Sequence, residues 1–227
     1  MPGSPSRPAV ARPFEMRSTS NGLPILVSAL VSGDTAPPNW NAVGRLFARL
    51  HGLPRPPWLP THPVGVALAD LLAERLGSRM ASLRKLRPEL PRLPSRAEMA
   101  ARITADSRAV SLLHLDIRPS NLMHRGGRIL ALIDWSNALI GDRRLEVARI
   151  SEYAQVGENE IDEAAFLAGY CGAGGALTDY TPTDILYRLD AAVMLALLFL
   201  AVVPKPDLAP GQVKRVALLA ERLAGKW

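Results

Sequence analysis

Apolar residues recur every three or four positions over most of the chain, and a few short apolar runs interrupt that spacing. The helical spacing predicts α-helices at residues 39–51, 66–76, 78–87, 95–109, 142–153, 159–170, 183–203 and 210–223. The apolar runs, bounded by turn-forming residues, predict strands at residues 24–31, 110–113, 122–124 and 128–133. These elements together predict an α+β protein that is mostly α-helical.

Three polar residues, Asp116, Asn121 and Asp134, stand at the ends of the central apolar runs. Asp116 follows the run 110–113, and Pro119 favours a turning backbone between Asp116 and Asn121. The runs before and after Gly126-Gly127 have the pattern of a β-hairpin, and Asp134 follows its second strand. Because a hairpin folds back, we expect Asp134 to return to the neighbourhood of Asn121.

A carboxylate and an amide oxygen that converge in this way are the hard ligands that Mg²⁺ prefers. A second carboxylate that is free of the metal can accept the proton of a hydroxyl group. Two other interpretations remain: the three residues are turn and cap formers, or Asp116 joins His114 and His124 in a zinc site.

The motif H-L-D-x-x-x-x-N, followed by I-D-W and then by G-D-R-R-L-E-V-A, resembles the aminoglycoside phosphotransferase and choline kinase-like family. That family has a kinase-like fold and a pattern close to H-G-D-x-x-x-x-N, I-D-W or I-D-F, and G-D-P-x-x-D-L-A. This sequence departs from the pattern at Leu115, Arg143 and Glu146, where the family has Gly, Pro and Asp. Leu115 should change the packing under the loop, and Glu146 keeps the charge of the family's Asp on a longer arm.

The resemblance implies a Mg²⁺-dependent phosphotransferase that moves the γ-phosphate of ATP to a small-molecule hydroxyl. Asp116 would be the catalytic base, and Asn121 and Asp134 would bind Mg²⁺. The strand 24–31 would lead into the hinge, with the backbone of Ala29, Leu30 and Val31 against adenine. The alternative for these residues is a plain edge or core strand.

The resemblance covers the C-lobe and hinge, and most of the N-terminal β lobe is not found. We expect residues 1–21, rich in Pro, Ser and Arg, to be disordered, and residues 22–227 to form the C-lobe with a remnant hinge strand. The first lysine is Lys85, in a helical region, whereas a phosphotransferase of this type has a strand lysine before the hinge. A mis-assigned start, a true deletion or a separate chain would each explain this, and the alternative function is a catalytically inactive binding module.

The composition bears on the cellular compartment of the protein. Hydrophobic residues make up 48% of the chain, so a packed core is expected, and the one cysteine, Cys171, fits a reducing compartment. No secretory signal is found, and the apolar run at residues 191–203 is shorter than the about 20 residues of a membrane span. We therefore expect a cytoplasmic protein with no membrane partner.

Charge is unevenly distributed. The net charge is +6, but the arginines of the basic first half are scattered, with few aromatic residues between them, so no nucleic-acid partner is expected. Residues 146–190 instead carry nine acids against two bases. If this stretch lines the substrate cleft, it favours a cationic acceptor; the alternative is an acidic surface that faces water.

Overall fold

The computed structural model describes residues 13–18, 24–28, 33–34, 36–54, 67–106, 110–177 and 181–225. Its strands are β1 Pro13–Ser18, β2 Pro24–Ser28, β3 Val110–Leu113, β4 Leu122–Arg125, β5 Arg128–Leu132 and β6 Leu139–Asp142. Its helices are α1 Trp40–His51, α2 Leu68–Leu86, α3 Arg96–Ala105, α4 Arg143–Ala154, α5 Glu163–Gly172, α6 Pro182–Leu197 and α7 Ala209–Ala224. The π-helical turn Leu198–Val202 extends α6. The expected mostly helical α+β class is confirmed.

The described strands form three antiparallel pairs: β1 with β2, β3 with β6, and β4 with β5. The predicted hairpin is present as β4 and β5, and its turn consists of Gly126 and Gly127, both with positive φ. The pairing of β3 with β6 was not predicted. It joins the two ends of the segment that contains Asp116, Asn121 and Asp134, so these residues belong to one closed loop.

The expected disorder of residues 1–21 is wrong for Pro13–Ser18, which pairs with β2 in register from Glu15–Val27 to Ser18–Pro24. Phe14 and Met16 alternate in the sequence with charged residues, which is a strand pattern too short to stand out alone. The proposed adenine contacts at Ala29, Leu30 and Val31 lie outside the described residues.

The structure also corrects three helix boundaries. The two helices expected on either side of Gly77 are one continuous helix, α2, because a single glycine inside a helix costs only about 1 kcal/mol. Helix α5 is capped by Asp162 rather than Asn159, and α6 by Thr181 rather than Thr183. The capping box of Ser95 and Glu98 at α3 is confirmed.

Two buried clusters surround the loop between β3 and β6. The larger cluster is built from α2, α3, α4, α6 and α7 and includes Leu115, while the second lies between α1 and α5 and includes Ile117. Helices α1 and α5 approach closely at Gly44 and Gly169, where a Cβ atom would collide with the facing backbone. This contact brings His51 of α1 next to Tyr170 of α5.

Among the described residues, one helical segment, Pro182–Val202, is long and apolar enough by length and composition to cross a membrane. Its most apolar window has a mean hydropathy of 2.1, but 61% of that window is buried inside the protein. Because α6 packs against α2, α4 and α7, its apolar surface forms much of the larger cluster.

Candidate active site

The loop after β3 carries the first two residues of the predicted site. Leu115 has a φ of 62°, a left-handed conformation that costs a non-glycine residue about 1–2 kcal/mol. Its side chain is 1% exposed in one cluster, and that of Ile117 is 1% exposed in the other. The residues on either side of Asp116 therefore anchor the loop in two different parts of the core.

Two buried side chains of α4 hold this strained backbone. The carboxylate of Glu146 accepts hydrogen bonds from the backbone N–H groups of His114, at 3.0 and 3.1 Å, and Leu115, at 2.5 Å. The guanidinium of Arg149 donates to the carbonyl of Leu115 at 2.6 Å. We call Glu146 and Arg149 the loop clamp. Glu146, at the position where the family has Asp, thus binds the backbone of Leu115, at the position where the family has Gly.

A second layer fixes the clamp from behind. Nε2 of His51 lies 3.1 Å from Glu146, and Nδ1 of His51 lies 2.8 Å from the hydroxyl of Tyr170. Since a carboxylate only accepts, Nε2 of His51 donates to Glu146, and Nδ1 shares the second hydrogen bond with the Tyr170 hydroxyl. Burial raises the pKa of Tyr170 to about 12, so this hydroxyl keeps its proton at neutral pH.

Asp116 follows the clamped residues and is 5% exposed. Its Oδ2 atom accepts hydrogen bonds from Arg118 at 2.7 Å and from the side-chain amide of Asn121 at 3.1 Å. The same amide nitrogen of Asn121 also donates to the Asp116 carbonyl at 2.7 Å, which closes the turn between them. Asp116 is therefore held by two neighbours in one orientation.

Asp134 stands at the end of β5 with a φ of 59° and is exposed. Its Oδ1 atom accepts a hydrogen bond from the hydroxyl of Ser136 at 2.6 Å. Hydrogen bonds from Ser136 lower the pKa of Asp134, with smaller contributions from the charges of His114 and Arg118. Asp134 is thus an exposed carboxylate that stays ionised.

Hydrogen bonds join the Asp134 segment to the Asp116 loop. The backbone N–H of Ile133 donates to the Asn121 carbonyl at 3.0 Å, and Nε2 of His114 donates to the Ile133 carbonyl at 2.8 Å. The ring of Trp135 meets the ring of His114 edge-on, with 4.8 Å between centroids. His114 and Trp135 therefore have structural roles, and the hairpin brings Asp134 back to the loop as the sequence predicted.

The donor set suits a hard divalent cation. The amide nitrogen of Asn121 is hydrogen-bonded to Asp116, so its amide oxygen is the atom that can bind a metal ion. In Asp134, Ser136 binds Oδ1, so Oδ2 is the oxygen that can bind a metal ion. The alternative zinc site finds no support, because His114, Asp116 and His124 form no metal-binding group within the part of the chain that the structure describes.

Comparison with protein-family models identifies the family of this chain. The model of the phosphotransferase enzyme family matches residues 6–186. The chain belongs to this family. A comparison with curated protein sequences finds no significant match.

Solved structures show that this family member has the kinase-like fold. A thermostable mutant of aminoglycoside phosphotransferase APH(4)-Ia is 18% identical and superimposes with a TM-score of 0.62, covering 96% of this chain and 79% of the other. A choline/ethanolamine kinase family protein from Mesorhizobium loti is 17% identical, with a TM-score of 0.54 over 93% of this chain and 75% of the other. The GDP complex of an aminoglycoside 2′-phosphotransferase-IIIa mutant is 16% identical, with a TM-score of 0.55 over 96% and 76%.

In this phosphotransferase family member, a cleft of about 600 Å³ opens beside Asp116. Its polar lining comes from Asp116, Arg118, Asn137, Arg79, Glu158, Asn159 and Lys205. Its apolar lining comes from α6, the π-helical turn and the residues after it, together with Val156 and Tyr153. Of the three predicted site residues, Asp116 lines this cleft, and Asn121 and Asp134 are not among its lining residues.

The acids expected to attract a cationic acceptor are only partly at the cleft. Glu152 is fully buried and paired with Arg188 and Arg215. Asp190 is 2% exposed and paired with Arg75, Arg79 and Arg149. These two carboxylates are structural, whereas Glu158 does line the cleft. The acids at 158, 160 and 162 are exposed to solvent, as the alternative interpretation held.

The sequence analysis did not single out Arg118, His51 or Tyr170. Arg118 pairs with Asp116, and its position two residues after Asp116 is the signal that could have pointed to it. His51 and Tyr170 lie far from the motif in sequence, and their helical patterns are those of ordinary core residues.

Proposed function

We propose that the protein is a Mg²⁺-dependent phosphotransferase that transfers the γ-phosphoryl group of ATP to the hydroxyl of a small molecule. The observation that carries the proposal is Asp116: a buried carboxylate that is oriented by Arg118 and Asn121 and lines a large cleft. Membership of the phosphotransferase family supports it, and a structural neighbour was solved with AMP-PNP and hygromycin B. We extend the proposal to a cytoplasmic location, in keeping with the one exposed cysteine.

In this mechanism Asp116 accepts the proton of the acceptor hydroxyl, and its fixed orientation places the hydroxyl for attack. The hydrogen bond with Asp116 raises the pKa of Arg118, which keeps its charge beside the base. With a side chain that is 46% exposed, Arg118 is accessible to phosphoryl oxygens. Asn121 and Asp134 would hold Mg²⁺, which when bound neutralises charge on the nucleotide phosphates.

The base is tested by Asp116→Asn, which is nearly isosteric. If Asp116 accepts the proton, turnover of ATP with an acceptor should fall about 10²–10⁴-fold, the usual worth of a general base. Asp70→Asn, at an exposed acid in the first turn of α2, is the matched control. Near-normal turnover in Asp116→Asn, with an unchanged melting temperature, would remove Asp116 from the mechanism.

The metal ligands are tested without turnover. Mg²⁺ with a nonhydrolysable ATP analogue should raise the melting temperature, because ligands that bind only the native state stabilise it. Asp134→Asn should abolish the Mg²⁺-dependent part of this shift, and Asp70→Asn should keep it. An equal shift in both variants would contradict the assignment of Asp134.

The second candidate function is a catalytically inactive kinase-like module that binds a ligand. The observation that favours it is that Oδ2 of Asp116 is already engaged by the guanidinium of Arg118 and by the side-chain amide of Asn121. Two results distinguish the candidates. The inactive module would bind its ligand with the same affinity in Asp116→Asn as in the unmodified protein. The unmodified protein would also hydrolyse or transfer no phosphate from ATP with any acceptor.

A further inference from the structure

The cleft beside Asp116 is lined by paired charges and by an apolar wall. Resting on the proposed phosphotransferase function, we propose that its acceptor is an uncharged alcohol with an apolar body, rather than a polycationic amino sugar. The juxtaposition that carries the inference is that the carboxylate of Asp116 and a run of apolar side chains from α6 and the π-helical turn line the same large cleft.

The cations of the cleft each have a carboxylate partner. Arg118 binds Asp116, Lys205 binds Glu158, and Arg79 binds the buried Asp190. Asp116 and Glu158, the two carboxylates in the lining, are the partners of two of these cations. A cationic acceptor would therefore have to displace Lys205 from Glu158, or Arg118 from the base itself.

The ring of Phe199 on the apolar wall is also already occupied by a cation of the protein. The ammonium group of Lys205 lies 5.7 Å from the centroid of the Phe199 ring, within the range of a cation–π contact. An amino group on an acceptor would compete with Lys205 for this ring as well as for Glu158. The two carboxylates and the Phe199 ring, which could each hold an amino group, are thus already paired with cations of the protein.

The apolar wall is exposed to an unusual degree for aliphatic residues. Val202 is 71% exposed and Val203 is 50% exposed, at the end of the π-helical turn, and Met194, Leu197 and Leu198 continue the wall along α6. Covering such side chains with an apolar body is favourable because it removes apolar area from water. The cleft of about 600 Å³ is large enough for a body of several rings.

Binding is measured by ligand-observed NMR with three alcohols that share one ring: cyclohexanol, trans-4-aminocyclohexanol and myo-inositol. We expect cyclohexanol to bind most tightly. Val202→Asp should weaken cyclohexanol about fivefold and strengthen the amino alcohol, because it replaces exposed apolar wall by a carboxylate. Leu86→Asp, at an exposed leucine outside the cleft, is the matched control and should change neither affinity.

Binding is recorded without turnover, so this test is separate from the Asp116→Asn test. Tighter binding of the amino alcohol or of myo-inositol to the unmodified protein would overturn the apolar class and leave the phosphotransferase proposal standing. Equal effects of Val202→Asp and Leu86→Asp, or no binding of any of the three probes, would overturn it too. If cyclohexanol responds as expected while Asp116→Asn keeps full turnover, the ligand class stands and the assigned base fails.

Discussion

The catalytic loop and the apolar wall of the cleft face the same space but are built in opposite ways. In the loop, a strained backbone at Leu115 is bonded at its N–H by Glu146 and at its carbonyl by Arg149. In the wall, Val202 and Val203 are largely exposed and are aliphatic, with no side-chain polar group to fix them. The loop holds the chemistry in one geometry, while the wall can vary in sequence without disturbing it. Under the proposed function, reaction type and acceptor preference are therefore separable properties.

The largest effect is expected when the negative charge of Glu146 is removed from the loop clamp. Glu146→Gln would place an NH₂ group against backbone N–H groups that need an acceptor. We expect the free energy of unfolding to fall by about 3 kcal/mol, since buried donors would lose their partner. Urea unfolding measures the change, and Glu221→Gln, at an exposed position of α7, should stay within about 0.5 kcal/mol. Equal effects of the two substitutions would show that the clamp is not needed.

The second prediction concerns acid. Burial alone would raise the pKa of Asp190, but the charges of Arg75, Arg149 and Arg79 outweigh it and lower the pKa. A carboxylate with a lowered folded-state pKa stabilises the fold above its unfolded pKa of about 3.9, and this contribution is lost as pH falls through the folded value. Stability should therefore drop on going from about pH 5 to below pH 4.

Urea unfolding across this range, with and without Asp190→Asn, checks the assignment. The variant should be less stable at pH 5 and should show a shallower loss in acid. The same slope in Asp190→Asn as in the unmodified protein would assign the acid sensitivity to other carboxylates.

The third prediction isolates the strain in the loop. Leu115→Ala and Leu115→Gly lose the same buried side chain, but only glycine accepts a φ of 62° freely. The glycine variant should be more stable than the alanine variant by about 1 kcal/mol. At Leu113, which is equally buried in β3, the order should be the reverse. The same order at both positions would mean that the loop carries no such strain.

The smallest effect is expected at the wall. Val202→Asp should change the free energy of unfolding by no more than about 0.5 kcal/mol, because the side chain is 71% exposed in the folded protein. Thermal unfolding compared with Leu86→Asp measures it. A loss as large as that of Glu146→Gln would mean that the wall supports the fold and is not free to vary.

Local patterns in the sequence predicted most of the fold and the hairpin that brings the three candidate site residues into one segment. Asp116, Asn121 and Asp134 could be found because their spacing and the hairpin between them lie within one short segment. Strand β6 could not, since Leu139–Asp142 is only four residues long and includes Gly141 and the cap of α4. His51 and Tyr170 reach the site only through tertiary packing, which leaves no local signal.

Arginine pairing likewise depends on three-dimensional contacts. The acids at Glu152 and Asp190 look in sequence like members of an acidic surface, but helix packing turns them toward arginines from distant elements. The net charge of residues 146–190 therefore predicted an acidic lining of the cleft to which these two residues do not contribute. Glu146 differs, because comparison with the family pattern already noted it in place of Asp. In the structure its carboxylate binds the backbone N–H groups of His114 and Leu115.

The pairing of β3 with β6 has a consequence for how the molecule folds. It closes a loop of about 25 residues between Leu113 and Leu139, and loop-closure entropy grows only slowly with such lengths. Asp116, Asn121, Asp134 and the hairpin all lie inside this loop, so their mutual contacts are of low contact order and should form early. The clamp from α4 follows within ten residues of the closing strand. The chemistry of the protein is thereby encoded in one nearly continuous segment, which can assemble before the long-range packing of α1 against α5 is complete.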